Sequence, residues 1–265
     1  FFSKEEIEIR RNTMRDILFN CNYVFTNSKK TRKDAEKFFG NFPAKIVTIP
    51  YAPCIDEELF SENYDEVRKK YEISDIHFIT CNQFWRHKNH DTVLKAFSEY
   101  LDKNGQADLI FTGNTKDRKF PEYFEYLQSL IKKLNLKNKV KILGMISKED
   151  QLSLIRGARA LIQPTLFEGG PGGGSCRDAI SLDTEIFASD IEINREINCG
   201  TVKYFNPKNS SELSKLMLDS EKLIPKKKDL NQLIVEGNER RTLSGKYLLE
   251  IISTAINEKK NVSNY

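Results

Sequence analysis

Apolar residues recur along the chain in short unbroken blocks, and from Ile76 onward these blocks alternate with amphipathic stretches. The blocks are "IHFIT" (76–80), "DLIFT" (108–112), "KVKIL" (139–143), "ALIQP" (160–164), "EIFAS" (185–189) and "VKYF" (202–205). Runs of this length without polar alternation predict strands covered on both faces, as in a parallel sheet. Between them, Val93, Leu94, Phe97 and Leu101 fall on one helical face, as do Phe124, Leu127, Ile131 and Leu134. Ser147 and Asp150 in "SKEDQLSLIRGA" have the S-x-x-D spacing that opens a helix. This alternation predicts an α/β fold, a doubly wound parallel sheet of Rossmann-like type, with ligands at the carboxyl ends of its strands.

The opening fifty residues differ. They read as helix, short strand and helix, then the strand "KIVTIP" and the proline-containing connector "PYAPCIDEELF". That is too little to close a sheet alone. The expected division is 1–55 as the tail of a preceding domain with its connector, 56–240 as a complete Rossmann-like domain, and 241–265 as a terminal helix. This helix is expected around Gly245 to Ala255, with Tyr247, Leu248, Ile251 and Ile252 on an apolar face packed back on the first segment. The chain begins with Phe rather than Met, which suggests a fragment or a processed product.

Composition narrows the function classes. With 39% hydrophobic and 30% charged residues the chain has the balance of an ordinary globular protein. No run approaches the roughly 18 to 20 apolar residues of a membrane span. The formal charge is +4, and the basic runs "KKTRK" (29–33) and "PKKKD" (225–229) read as solvated faces, so no nucleic-acid partner is expected. The five cysteines are widely spaced without C-x-x-C, which predicts neither a disulfide framework nor a zinc site and fits a cytoplasmic setting.

Two stretches carry candidate chemistry. In "CNQFWRHKNHDTVLKAF" a strand runs into a helix, and Lys88 at that turn can add a point charge to the positive end of the helix to meet phosphate. Arg86, His87 and His90 lie beside it, but Asp91 is their only nearby carboxylate, so no metal site is expected. Trp85 reads as core or interdomain packing. In "FEGGPGGGSCRDA" glycines follow a strand, where they let backbone N–H groups approach a ligand. Ser175 and Asp178 repeat the S-x-x-D spacing, so a helix is expected to start at Ser175. Asp178 is then a cap partner, or, with Glu168, a carboxylate for the hydroxyls of a sugar or ribose. Together the two stretches suggest a nucleotide with a phosphorylated, hydroxyl-rich substituent.

These motifs, with "VFTNSKKTRKDAEKFFG", "LIFTGN", "VKILGMISKEDQLSLIRGARALIQPTLFEGGPGGGS" and "SDIEINREI" in order, closely resemble the nucleotide-binding half of GT-B glycosyltransferases. The resemblance is to the large retaining group 1, or family 4, type, which includes bacterial mannosyl- and glucosyltransferases of cell-surface polysaccharides. It implies a carboxy-terminal GT-B domain with a short remnant of the amino-terminal domain, and a donor that is a GDP- or UDP-hexose. Lys88 and Glu168 would be catalytic, Lys88 on the diphosphate and Glu168 on the transferred sugar. Gly144, Met145 and Ile146 match the turn near the nucleobase, and Gly170, Pro171, Gly172, Gly173, Gly174 and Ser175 the loop that supplies amides.

Two positions depart from the pattern. Gln83 stands where the family has an arginine, with Arg86 as a compensating charge. The second acid falls on Cys176 when counted strictly, and on Asp178 when the glycine-rich variant is allowed two extra residues. The implied reaction is front-face transfer to a saccharide acceptor with retention and no obligatory metal or cofactor. Peripheral association at the inner face of the membrane, and a partner chain supplying the amino-terminal domain, are compatible with it. Two other readings stand beside it: a non-catalytic or split nucleotide-binding module, and a GT-B sugar epimerase.

Overall fold

The computed structural model describes residues 2–55, 60, 63–197, 199–222 and 227–262. Helix α1 (Lys4–Asn20) opens on a reciprocal cap, in which Ser3 Oγ accepts from Glu6 N and Glu6 Oε2 from Ser3 N. Strands β1 (Tyr23–Thr26) and β2 (Lys45–Thr48) pair in parallel, joined through α2 (Lys29–Phe39). After α3 (Tyr64–Lys70) comes the alternation read in the sequence. Its elements are β3 (His77–Cys81), α4 (His90–Asp102), β4 (Asp108–Thr112), α5 (Tyr123–Lys133), β5 (Val140–Gly144) and α6 (Lys148–Gly157), then β6 (Ala160–Gln163), α7 (Gly173–Ser181), β7 (Ile186–Ser189), β8 (Val202–Phe205), α8 (Ser210–Glu221) and α9 (Leu230–Val262).

The larger sheet has the order β5-β4-β3-β6-β7-β8 with every pair parallel. Successive side chains of a strand point to opposite faces, so each all-apolar block feeds two cores at once. Phe78, Leu109, Phe111, Ile162 and Phe187 pack with Val93, Leu94 and Phe97 of α4 and with Leu213 and Met217 of α8. Their strand neighbours Ile79, Ile110, Leu161, Ile186 and Ala188 pack on the other side with Leu154 and Ile155 of α6 and Ala179 of α7. The chain leaves the sheet centre in opposite directions from β3 and β6. A crevice therefore opens at their carboxyl ends, where doubly wound sheets hold ligands.

The first segment is tied to this sheet through polar contacts. Glu196 receives the N–H groups of Lys29 and Lys30 at the start of α2, at 2.6 and 2.7 Å. Tyr51 OH accepts from Asn27 Nδ2 (2.6 Å), and the Arg177 guanidinium lies 4.1 Å over the Tyr51 ring. The terminal helix is longer than expected, since α9 starts at Leu230 rather than near Gly245. Tyr247 and Ile252 are exposed on it, and only Leu248 and Ile251 of the expected face are half-buried. Far along it, Glu258 accepts from Tyr23 OH at 2.9 Å and pairs with Lys45 at 2.6 Å.

Candidate functional site

The turn after β3 is anchored by Phe84, which is buried and stacks on His90 at 4.5 Å between ring centres. The chain then makes a 3-10 turn over Arg86–Lys88 and enters α4 through Asn89, whose left-handed backbone (φ 58°) suits asparagine. Asn89 Nδ2 donates to the carbonyls of Pro164 and Pro207, both at 2.9 Å, and so fixes the turn against the exits of β6 and β8. Leu166 N also donates to His87 O at 2.8 Å. These bonds join the lysine turn to the loop that carries Glu168.

Lys88 Nζ and Glu168 Oε1 form an ion pair, with each side chain only 11% exposed. Gln163, the last residue of β6, donates from Nε2 to Glu168 Oε1 (3.0 Å) and to Gly172 O (2.8 Å), and accepts from Asn82 Nδ2 (2.7 Å). Gly172 N donates to Asn194 Oδ1 at 3.2 Å, and Asn194 is itself buried and held by Ser189. Gly172 is thus pinned through both its N–H and its carbonyl. Its φ of 66° and the 2.6 Å that would separate an added Cβ from Cys176 Cβ leave room for glycine alone.

Helix α7 begins at Gly173, with Gly172 as its cap, and among the described residues no side-chain cap bond reaches its first turn. This corrects the expected start at Ser175, which lies inside the helix and is buried. The left-handed glycines turn the chain two residues earlier than the S-x-x-D spacing suggests. Asp178 is consequently no cap partner. It pairs with Lys148 at the start of α6, at 2.5 Å. That contact draws Asp178 toward the turn after β5, where Gly144 accepts from Gly113 N (2.8 Å), Met145 is 79% exposed and Ile146 packs against the core.

The remaining expected residues spread over the rim. Gln83 and Arg86 are exposed, and the Arg86 guanidinium lies 5.0 Å over the Phe120 ring. Gly170 approaches Asn27 of the first segment so closely that an added Cβ would sit 2.5 Å from its Nδ2. Pro171 lines a cleft of about 1090 Å³ with Tyr51 and Arg177. Glu168 lines a smaller cavity of about 490 Å³ with Phe167, Phe38 and Phe39. Cys176, the position of the strictly counted second acid, is buried and its thiol pKa is raised by that burial.

The neighbouring aromatic groups part company. Trp85 is 40% exposed and meets His87, which removes the core alternative of its expected core or interdomain packing. His90 lies in the core between Phe84 and Phe111, whereas His87 lies against Trp85 and Phe167. Burial, and after it the charge of Lys88, brings His87 down to about 4, so its imidazole is neutral near pH 7.

Gln163, Asn82 and Asn194 escape a reading of the sequence. The available signal was a lone glutamine in the apolar block "ALIQP": a polar side chain at a buried strand position must find partners.

Residues 63–239 match the family model described as "Glycosyl transferases group 1". The chain is 28% identical over 157 residues to the O-antigen chain mannosyltransferase RfbU of Salmonella typhimurium, a match covering 58% of this chain and 42% of that protein. The chain thus spans less than half the length of that curated relative. Among solved structures it resembles Anabaena HepE in complex with UDP and glucose (TM-score 0.72, 15% identity, 96% of this chain and 68% of that one). A glycosyltransferase from Rickettsia africae is similar (TM-score 0.71, 19% identity, 91% and 66%), as is sucrose-phosphate synthase from Thermosynechococcus elongatus (TM-score 0.68, 17% identity, 96% and 65%). At these identities the structural likeness speaks for a shared GT-B fold. With the family model matching well over half its residues, the chain belongs to the group 1 glycosyl transferases.

Proposed function

We propose that the crevice at the ends of β3 and β6 binds a nucleoside-diphosphate hexose, GDP- or UDP-linked, and serves its transfer to a saccharide acceptor with retention. The observation that carries this reading is the Lys88–Glu168 pair beside the uncapped start of α7. A nearly buried cation and a row of free helix N–H groups suit a diphosphate, and a carboxylate next to them suits sugar hydroxyls.

In this reading Lys88 and the amides of Gly173, Gly174 and Ser175 hold the diphosphate, with Gly170 to Gly172 shaping the approach and Arg86 adding charge at the rim beside Gln83. Glu168 accepts from the hexose. Backbone of Gly144, Met145 and Ile146 lies against the base, and Asp178 exchanges Lys148 for a ribose hydroxyl. As the bond from the anomeric carbon to the phosphate oxygen breaks, Lys88 and the amides stabilise the charge on the departing diphosphate. The acceptor oxygen attacks from the same face and its proton passes to the leaving phosphate. This is electrostatic catalysis by preorganised groups.

The named relative acts on O-antigen chains, which supports a cell-surface polysaccharide as the product here. Among the described residues no helix is long and apolar enough to cross a membrane, and the reading places the chain at the cytoplasmic face as a peripheral protein. In this division residues 1–55 are the end of an amino-terminal domain, 56–240 the donor domain and 241–265 the terminal segment, whose helix returns toward the first segment as far as it is described. A second reading is that this donor-binding half works with a partner chain that supplies the amino-terminal part of the site.

A thermal melt tests donor binding. A ligand that binds only the folded state at a hundred times its Kd stabilises it by about 2.7 kcal/mol. A rise in Tm with a GDP- or UDP-hexose is expected, and no shift with any of them at millimolar concentration contradicts the reading. Transfer that appears only after adding an amino-terminal domain would favour the partner-chain form.

A further inference from the structure

We infer that Gln163 is a positioning residue, one that holds the Glu168 carboxylate in a single geometry for the sugar end of the donor. This rests on the donor-site reading above.

Gln163 is 1% exposed at the end of an otherwise apolar strand, where leucine would fill the space without desolvating an amide. Its orientation has one solution. Gly172 O and the Glu168 carboxylate can only accept, so Nε2 must face them, and Oε1 is left to face Asn82 Nδ2. Both N–H groups and the oxygen are thereby used.

The bonds to Gln163 and Lys88 both end on Glu168 Oε1, and among the described residues no hydrogen bond goes to Oε2. One carboxylate oxygen is fixed and the other is left to accept from a ligand hydroxyl. The same amide grips the carbonyl of the α7 cap residue. Gly172 keeps a second anchor in Asn194, so the helix start is held even without this amide, whereas the set of the carboxylate depends on it.

The experiment compares binding of UDP and GDP with that of their hexose derivatives to the full chain, by calorimetry. For Gln163→Leu the account expects at least about tenfold weaker binding of the hexose form, the scale of one hydrogen bond to a charged group, and under threefold for the nucleoside diphosphate. In a Glu168→Ala background the same substitution should add almost nothing, because Gln163 acts through that carboxylate.

Gln163→Glu keeps the shape but puts an acceptor where a donor is needed. Glu168 accepts from its amide, Lys88 pairs with that carboxylate, and the Cys176 thiol, Cys81 and Asp178 lie within the same field. Two carboxyls at one site raise the pKa of one of them, so the introduced group donates only when protonated. Hexose binding by this variant should recover as pH falls from 8 toward 6, above the range in which the histidines destabilise the fold, while the unmodified protein stays flat. Equal losses for both ligand classes, additive losses in the double variant, or a flat pH profile for Gln163→Glu would each overturn the inference. If Gln163→Leu does not fold, the pH profile decides alone. If the unmodified protein binds none of these ligands, the donor-site reading itself falls, and the two failures stay distinguishable.

Discussion

The Lys88–Glu168 pair brings two charges into a place that is almost closed to water. Each compensates the desolvation of the other, so removing one partner costs more than the pair contributes. Lys88→Met should lower stability by about 1–3 kcal/mol in urea denaturation, and adding Glu168→Leu should recover most of that loss. Additive losses in the double variant would show that the pair is not coupled. In a complete enzyme Glu168→Ala should reduce turnover by at least about a hundredfold with the fold intact, and near-normal activity would contradict its role. Both residues were legible because each follows a strand at a turn with a distinctive neighbourhood: a lysine before a helix, an acid before glycines. Gln163 was not, since an apolar block containing one polar letter still reads as a strand. Only the packed structure shows which carbonyl and which carboxylate its amide must reach.

At the scale of elements, the glycine stretch behaves as a rigid bracket. Gly172 is held through both backbone polar groups and has a left-handed backbone against Cys176, whereas Gly169 has open space around it. Gly172→Ala should therefore destabilise the protein by about 1–3 kcal/mol and weaken nucleotide binding, and Gly169→Ala should leave the melting temperature near its original value. Similar effects at both sites would remove the argument for a fixed loop. The four inner strands were legible because burial on both faces leaves no polar alternation to confuse the pattern, and the half-buried edge strands β5 and β8, which carry lysines, by their place in the alternation. The start of α7 was not, because backbone handedness at Gly172 and Gly173 outweighs a side-chain cap that the spacing offers at Ser175. The early start of α9 was hidden for another reason. Leu233 is buried on it while Val235, Leu243 and Leu249 are exposed, so its apolar residues mark no single face.

At the scale of the whole molecule, two buried histidines tie stability to pH. His77 donates from Nε2 to Leu154 O and accepts at Nδ1 from Tyr64 OH, and His90 is stacked among aromatic rings. Burial brings His77 down to about 4 and His90 to about 3. Because the folded values lie below the unfolded value near 6.5, their contribution is complete above pH 6.5 and is lost as pH falls toward the folded values. With His87, also held near 4, these groups should lower the stability by up to about 4 kcal/mol per pH unit between pH 6.5 and 5, and His90→Phe should remove roughly a third of that slope in urea titrations. An unchanged slope would place the acid sensitivity elsewhere. The sheet order that brings the ends of β3 and β6 together makes one crevice of two distant motifs, and on that crevice the functional reading depends. Calorimetric titration of the intact chain and of Lys88→Ala with UDP- and GDP-hexoses tests it most directly. The account predicts saturable binding of at least one of them to the intact chain and at least about tenfold weaker binding to the variant. Equal affinity for both proteins, or no binding to either at millimolar ligand, would contradict it.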